Sequence, residues 1–312
     1  MVRSPVALAC PRANLCRAPD VRLREGSLSQ FAQARVQAAT GRDARDWFHS
    51  RRLANGARYL RWSRLFEFLI SPDGSQIRYR RLGQASNESF SVYLLGQVLS
   101  FSLLAFGIES LHATVVVVGS RAVAFLGGCG SGKSTLAAAL VARGFGVLTD
   151  DLAALDEAAS RWTVHPGIPR LKLFPSVARK LLGRHDGTPM NNGTTKQVLA
   201  LGHGHSVRQD TPLAAIYVLS RPQSSRARAR AGVIVERLSG SEAFMEIIAA
   251  AFNLMVVDRA RLANQFAFAK RLVASVPVRR LTYPRTLAVL PEVCDTLLAD
   301  LKATVPARSG GD

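Results

Sequence analysis

Nine consecutive residues, Gly127-Gly-Cys-Gly-Ser-Gly-Lys-Ser-Thr135, constrain the fold of this chain more than any other feature. They complete the Walker A pattern G-x-x-x-x-G-K-[ST] and lie between an apolar run, Arg121–Leu126, and an alanine-rich stretch, Leu136–Arg143, that stops at Gly144. A strand that enters such a loop and leaves it as a helix gathers backbone N–H groups around an anion, and the positive end of the helix dipole points at the same place. The pattern predicts an α/β fold in which Gly127, Gly128, Cys129, Gly130, Ser131 and Gly132 form a phosphate loop and Lys133 neutralises the phosphates. Ser134 and Thr135 complete the nucleotide-binding set, with the Ser134 hydroxyl placed for Mg²⁺.

The next apolar segment, Phe145–Thr149, runs directly into Asp150 and Asp151. One short helix therefore separates the phosphate loop from an acidic strand end. Two adjacent carboxylates beside a triphosphate can divide the work. One can hold Mg²⁺ while the other accepts the proton of an attacking hydroxyl. Farther on, Val164-His-Pro-Gly-Ile-Pro-Arg170-Leu-Lys-Leu-Phe-Pro175 supplies Arg170 as a candidate cation for the transferred phosphoryl group. Lys196, after Met190-Asn-Asn-Gly193, is a further candidate to close over a nucleotide.

Leu111-His112, the strand Ala124-Phe-Leu-Gly127, the phosphate loop, Ala142-Arg-Gly144 and Leu148-Thr-Asp-Asp151 together resemble the catalytic domain of HPr kinase/phosphorylase, whose core is shared with phosphoenolpyruvate carboxykinase. The resemblance is strongest over residues 111–156. It implies a P-loop nucleotide-binding core, ATP and Mg²⁺ as cofactors, and a hydroxyl of a small protein or peptide, of unknown identity, as acceptor. It also implies Asp150 as catalytic base, Asp151 as metal or phosphate partner, His112 near the transferring phosphate, and a homo-oligomer. Thr135 stands where the bacterial kinase has a glutamate, and the segment tied to phosphorolysis in that family has no recognisable counterpart, so the kinase direction is the one implied. A non-catalytic nucleotide-binding regulatory or assembly protein is the alternative that the same loop allows.

The 312 residues, 48% of them hydrophobic and 20% charged, are enough for a sizeable core. Three segments are expected: a basic, disordered extension over 1–45; a small β-rich part with a buried helix over 46–110; and an HPr-kinase-like P-loop domain over 111–305. The uncharged run Ser89–Ile108 is long enough to cross a bilayer. Ser91, Gln97, Ser100 and Ser102 interrupt it, however, and Leu94, Leu95, Val98, Leu99 and Phe101 form a helical stripe suited to a sheet, so it predicts a buried helix and no stable membrane insertion. The net charge of +19 attracts anionic partners in general. The one alternating arginine run, Ser224–Arg230, lacks the aromatics that stack on bases, which favours a charged loop over a nucleic-acid site. Cys10, Cys16, Cys129 and Cys294 have neither metal-cluster nor disulfide spacing, and the apolar stretch Val6–Ala9 is shorter than a signal peptide needs, so a cytoplasmic setting is expected. Leu238-Ser-Gly-Ser-Glu242 is read as a helix N-cap at Ser239 or Ser241.

Overall fold

In the computed structural model, which describes residues 2–4, 20–38, 47–158, 161–191, 193–222, 232–253 and 256–304, the chain divides into two units. The first comprises residues 1–108 with 189–195, and the second residues 109–188 with 196–312. The chain is a mixed α/β protein.

In the first unit, β1 (Val2–Arg3), β2 (Val21–Glu25), β3 (Phe48–Arg52), β4 (Arg58–Trp62), β5 (Phe66–Ile70) and β6 (Gln76–Arg81) form one sheet in the order β1-β2-β6-β5-β4-β3. Strands β3 to β6 are an antiparallel meander, and β2 joins β6 in parallel. Because successive side chains alternate between faces, the register sets Leu60, Phe68 and Tyr79 in one row and Tyr59 and Leu69 on the opposite face. Helix α1 (Leu28–Ala38) packs Phe31, Ala34 and Ala38 against Tyr59 and Leu53. On that same face the buried carboxylate of Glu67 accepts hydrogen bonds from Arg35 (2.9 and 2.6 Å), Tyr59 (2.9 Å) and Arg80 (3.3 Å). The other face is covered by α2 (Asn87–Tyr93), a π-helical turn (Leu94–Val98) and α3 (Leu99–Ala105). There the Phe90 ring lies 5.4, 5.7 and 4.9 Å from those of Phe66, Phe68 and Tyr79.

Residues 21–25 and 28–38 correct the expectation of a disordered extension over 1–45. Val21 and Leu23 alternate inward with exposed arginines, and Phe31, Ala34 and Ala38 share one helical face, which is enough apolar surface to seat both elements on the sheet. Residues 5–19 and 39–46 of that extension lie outside the described residues. The continuous helical stretch Asn87–Ala105 is long and apolar enough to cross a membrane by length and composition, and just over half of it is buried within the protein.

The second unit is built on a larger mixed sheet. In chain order the elements from residue 110 onward are β7 (Ser110–His112), β8 (Thr114–Val118), β9 (Arg121–Leu126), α4 (Lys133–Val141), β10 (Gly146–Thr149), β11 (Leu152–Ala158), β12 (Arg161–Val164), β13 (Arg170–Leu173), α5 (Pro175–Leu182), β14 (Thr188–Asn191), β15 (Thr194–Ala200), β16 (Thr211–Ser220), β17 (Ile234–Arg237), α6 (Gly240–Ala250), α7 (Arg259–Ser275), β18 (Val278–Thr282) and α8 (Leu290–Thr304), with residues 189–195, from β14 into β15, grouping with the first unit. The main sheet runs β10-β8-β9-β16-β12-β11-β7, with β18 against β16 and β17. At its centre β16 pairs in parallel with both β9 and β18, whereas β13 pairs antiparallel with β15 in a separate small sheet.

Both faces of the main sheet are covered, which is why its central strands read as unbroken apolar runs. Val115, Ala122, Ala124, Ile216 and Val218 face α6 and α7, while Val116, Val123, Phe125, Ala215 and Tyr217 face α4, α5 and α8. Ser239 caps α6 in a reciprocal capping box with Glu242. Residues 188–191 are the strand β14. The Ser224–Arg230 run lies outside the described residues.

Candidate active site

The glycine loop occupies the step from β9 into α4. Gly127, Gly130 and Gly132 have φ of 136°, 75° and 95°, values that a side chain at Cβ disfavours. A Cβ on Gly127 would also stand 2.8 Å from Ser131 Oγ. The turn closes through a 3.0 Å hydrogen bond from the Ser131 N–H to the Gly128 carbonyl. Helix α4 starts at Lys133 without a side-chain cap, so the N–H groups of its first turn and its positive dipole end face the loop uncompensated by a side chain. Gly128, Cys129 and Gly130 form the exposed rim, and Cys129 is a free thiol. Lys133 is buried and donates to the carbonyls of Gly127 (2.6 Å) and Gly128 (3.3 Å). Burial lowers its pKa, partly opposed by the charge of Asp150. Ser131 Oγ is buried with no hydrogen-bond partner.

Strand β10 delivers Asp150 to the foot of this helix. The buried carboxylate accepts from Thr114 Oγ1 (2.6 Å), from Ser134 Oγ (3.2 and 3.3 Å to its two oxygens) and from the backbone N–H of Lys172 (3.3 Å). Asp151 has a different partner: its carboxylate forms an ion pair with the Lys172 ammonium. Asp151 also holds φ at +79°, a conformation that costs a non-glycine residue about 1–3 kcal/mol. Its carbonyl accepts from Ala113 N–H at 3.1 Å. The sequence pairs Ser134 with Asp151; the structure instead brings Ser134 against Asp150.

His112, at the end of β7, stands opposite Leu152 in the ladder and meets Phe252 edge-on at 5.6 Å. Burial first, and then the positive charges of Lys133 and Lys172, lower its pKa to about 4 against the opposing pull of Asp150. His112 is therefore a neutral imidazole at pH 7. Arg170 is buried at the start of β13, where Leu171 and Leu173 face α4 and the alternation puts Arg170 and Lys172 together on the other face. Thr135 sits half-buried in the first turn of α4. Lys196 lies over the Phe174 ring at 5.3 Å, and its charge, with that of Arg285, further depresses the Lys133 pKa.

Three contributors were not visible in the sequence. Thr114 reads as an ordinary strand residue. Lys172 sits inside a noted segment but carries no motif of its own. Arg285 donates from Nη1 to the Gly130 carbonyl at 2.6 Å across 155 residues of chain, and no local pattern announces that. Among the described residues no cluster of three or more His, Cys, Asp or Glu side chains could hold a metal. A cation at this site would rest on few protein oxygens, as Mg²⁺ commonly does beside phosphate.

No family model and no curated protein matches the chain. Among solved structures, the chain is similar to the Hpr(Ser) kinase/phosphatase from Coxiella burnetii at 13% identity, with a TM-score of 0.36, over 62% of this chain and 97% of that one. A likeness this loose carries no residue-by-residue correspondence.

Proposed function

We infer that the second unit is an HPr-kinase-like, ATP- and Mg²⁺-dependent phosphotransferase that passes the γ-phosphoryl group to a hydroxyl, such as a serine of a small protein or peptide. The observation that carries this reading is the contact of Ser134 Oγ with Asp150 at 3.2 Å, directly below an uncapped helix and a positive-φ glycine loop. The unpartnered Ser131 hydroxyl and the open first turn of α4 suit phosphate oxygens. The oxygen pair of Ser134 and Asp150 suits a hard cation.

In this reading Lys133 leaves the Gly127 and Gly128 carbonyls for the phosphates. Ser134 and Asp150 would hold Mg²⁺, which when bound would supply charge neutralisation on the phosphate oxygens. Asp150 already accepts from Thr114, Ser134 and the Lys172 N–H, so its oxygens are committed to these donors. Asp151 is the better acceptor for the hydroxyl proton once Lys172 turns away from it. The roles expected for the two aspartates are thereby exchanged. The new bond joins the acceptor oxygen to phosphorus, the bond to the ADP oxygen breaks, and the proton passes to Asp151. Neutral His112 contributes hydrogen bonding rather than charge, and Arg170 lies on the same strand face as Lys172.

The Asp151–Lys172 ion pair also favours a second reading, in which the carboxylate stays neutralised and the protein binds nucleotide without catalysis. Radiolabelled ATP with a panel of serine-bearing peptides and small proteins separates the two. Asp150→Asn should raise the Mg²⁺ requirement of ATP binding, and Asp151→Asn should leave binding near normal but cut single-turnover transfer by about 10²- to 10⁴-fold. ATP binding by the parent without transfer to any hydroxyl would support the second reading, and transfer lost in Asp150→Asn alone would restore the original roles.

A further inference from the structure

We propose that Arg285 is a nucleotide-positioning residue of this site, supplying a second cation to the glycine loop; this rests on the reading of that loop as a nucleotide site. The segment after β18 folds back over the loop from a distant part of the chain. Its buried Tyr283 lies beside Gly132, where a Cβ would stand 3.3 Å from the Tyr283 hydroxyl. Two residues on, Arg285 is exposed and donates to the carbonyl of Gly130 at 2.6 Å. Among the described residues it makes no other hydrogen bond and no ion pair. A guanidinium has five N–H donors, so most of this one's capacity is uncommitted at the rim of an anion cradle.

The contact has two consequences. First, Gly130 sits at φ 75° in the exposed rim, and a charge-assisted hydrogen bond to its carbonyl fixes the orientation of that peptide before any ligand arrives. Preordering of this kind reduces what binding must spend on arranging the loop. Second, a permanently charged group lies at the loop without a carboxylate to neutralise it, and a polyphosphate is the chemical class that completes it. The C-terminal helix α8 carries this segment. It is tied to the end of α4 by Arg143, which contacts Asp295 at 2.6 Å and the Pro291 carbonyl at 2.8 Å. Both ends of the P-loop helix are thus held by the last part of the chain.

The test uses the full chain, titrated with Mg·ATP and with adenosine, which has no phosphate, alongside hydrogen exchange of residues 127–134 without ligand. Arg285→Ala should weaken Mg·ATP binding by about 10- to 100-fold, leave adenosine binding unchanged and speed exchange in the loop. Arg285→Lys should recover part of the ATP affinity by restoring charge, while Arg285→Gln, which keeps a donor without charge, should recover less. Unchanged ATP affinity in Arg285→Ala, or full recovery in Arg285→Gln, overturns the proposal while leaving the nucleotide site in place. Absence of Mg·ATP binding by the parent chain overturns both.

Discussion

The chemistry of the site depends on partners remote in sequence, which is where sequence patterns lose resolution. The loop glycines, Lys133, Ser134 and the aspartate pair were legible because a strand–loop–helix motif fixes their spacing. Which carboxylate meets Ser134 and which meets Lys172 was not, because that is decided only once the chain has folded. His112 makes a testable case. Its folded pKa of about 4 lies below the ordinary 6.5. Between those values the unfolded chain binds a proton that the native state refuses, so this residue's contribution is fully present above pH 6.5 and is lost as pH falls toward 4. In the nucleotide-free protein, His112→Gln should therefore flatten the fall of Tm with acidification in that window. NMR titration should find the parent imidazole neutral down to about pH 4. A midpoint near 6.5 would show that the ring is neither buried nor crowded by Lys133 and Lys172 as described.

Helix and strand boundaries were set by local chemistry that is only partly visible in sequence. Helix α4 begins at Lys133 rather than at Leu136, where the apolar pattern starts, because the polar triplet Lys133-Ser-Thr135 forms its first turn over the loop. The last helix begins at Leu290; Pro284 and Pro291 bracket the segment before it, which leaves Arg285 outside the helix and able to reach Gly130. The extension was misread because β2 is short and carries two arginines, α1 has only a few apolar residues, and these gain a partner only once β6 and β4 are in place. The cap of α6, in contrast, was legible as Ser239 or Ser241, and the structure takes Ser239. The Ser239 hydroxyl accepts from Glu242 N–H, and the Glu242 carboxylate accepts from Ser239 N–H at 3.0 Å. Ser239→Ala should cost about 1 kcal/mol in denaturant unfolding without changing Mg·ATP affinity. A loss of affinity in that variant would mean that α6 reports directly to the loop.

For the whole molecule, the sequence located a β-rich first part and an α/β second part, and the contacts divide the chain near residue 108. It did not foresee that residues 189–195 group with the first unit, because unit membership there depends on tertiary contacts rather than local pattern. The large positive net charge is spread over both parts and by itself selects no partner. Selection comes from the geometry at one loop of the second unit, where Lys133 is held on backbone carbonyls. Titration calorimetry of Mg·ATP into the parent chain and into Lys133→Ala tests this most directly. Saturable binding by the parent, weakened about tenfold or more in a variant whose unfolding transition is unshifted, is the predicted result. Equal affinity in the two proteins, or no binding by the parent, would contradict it.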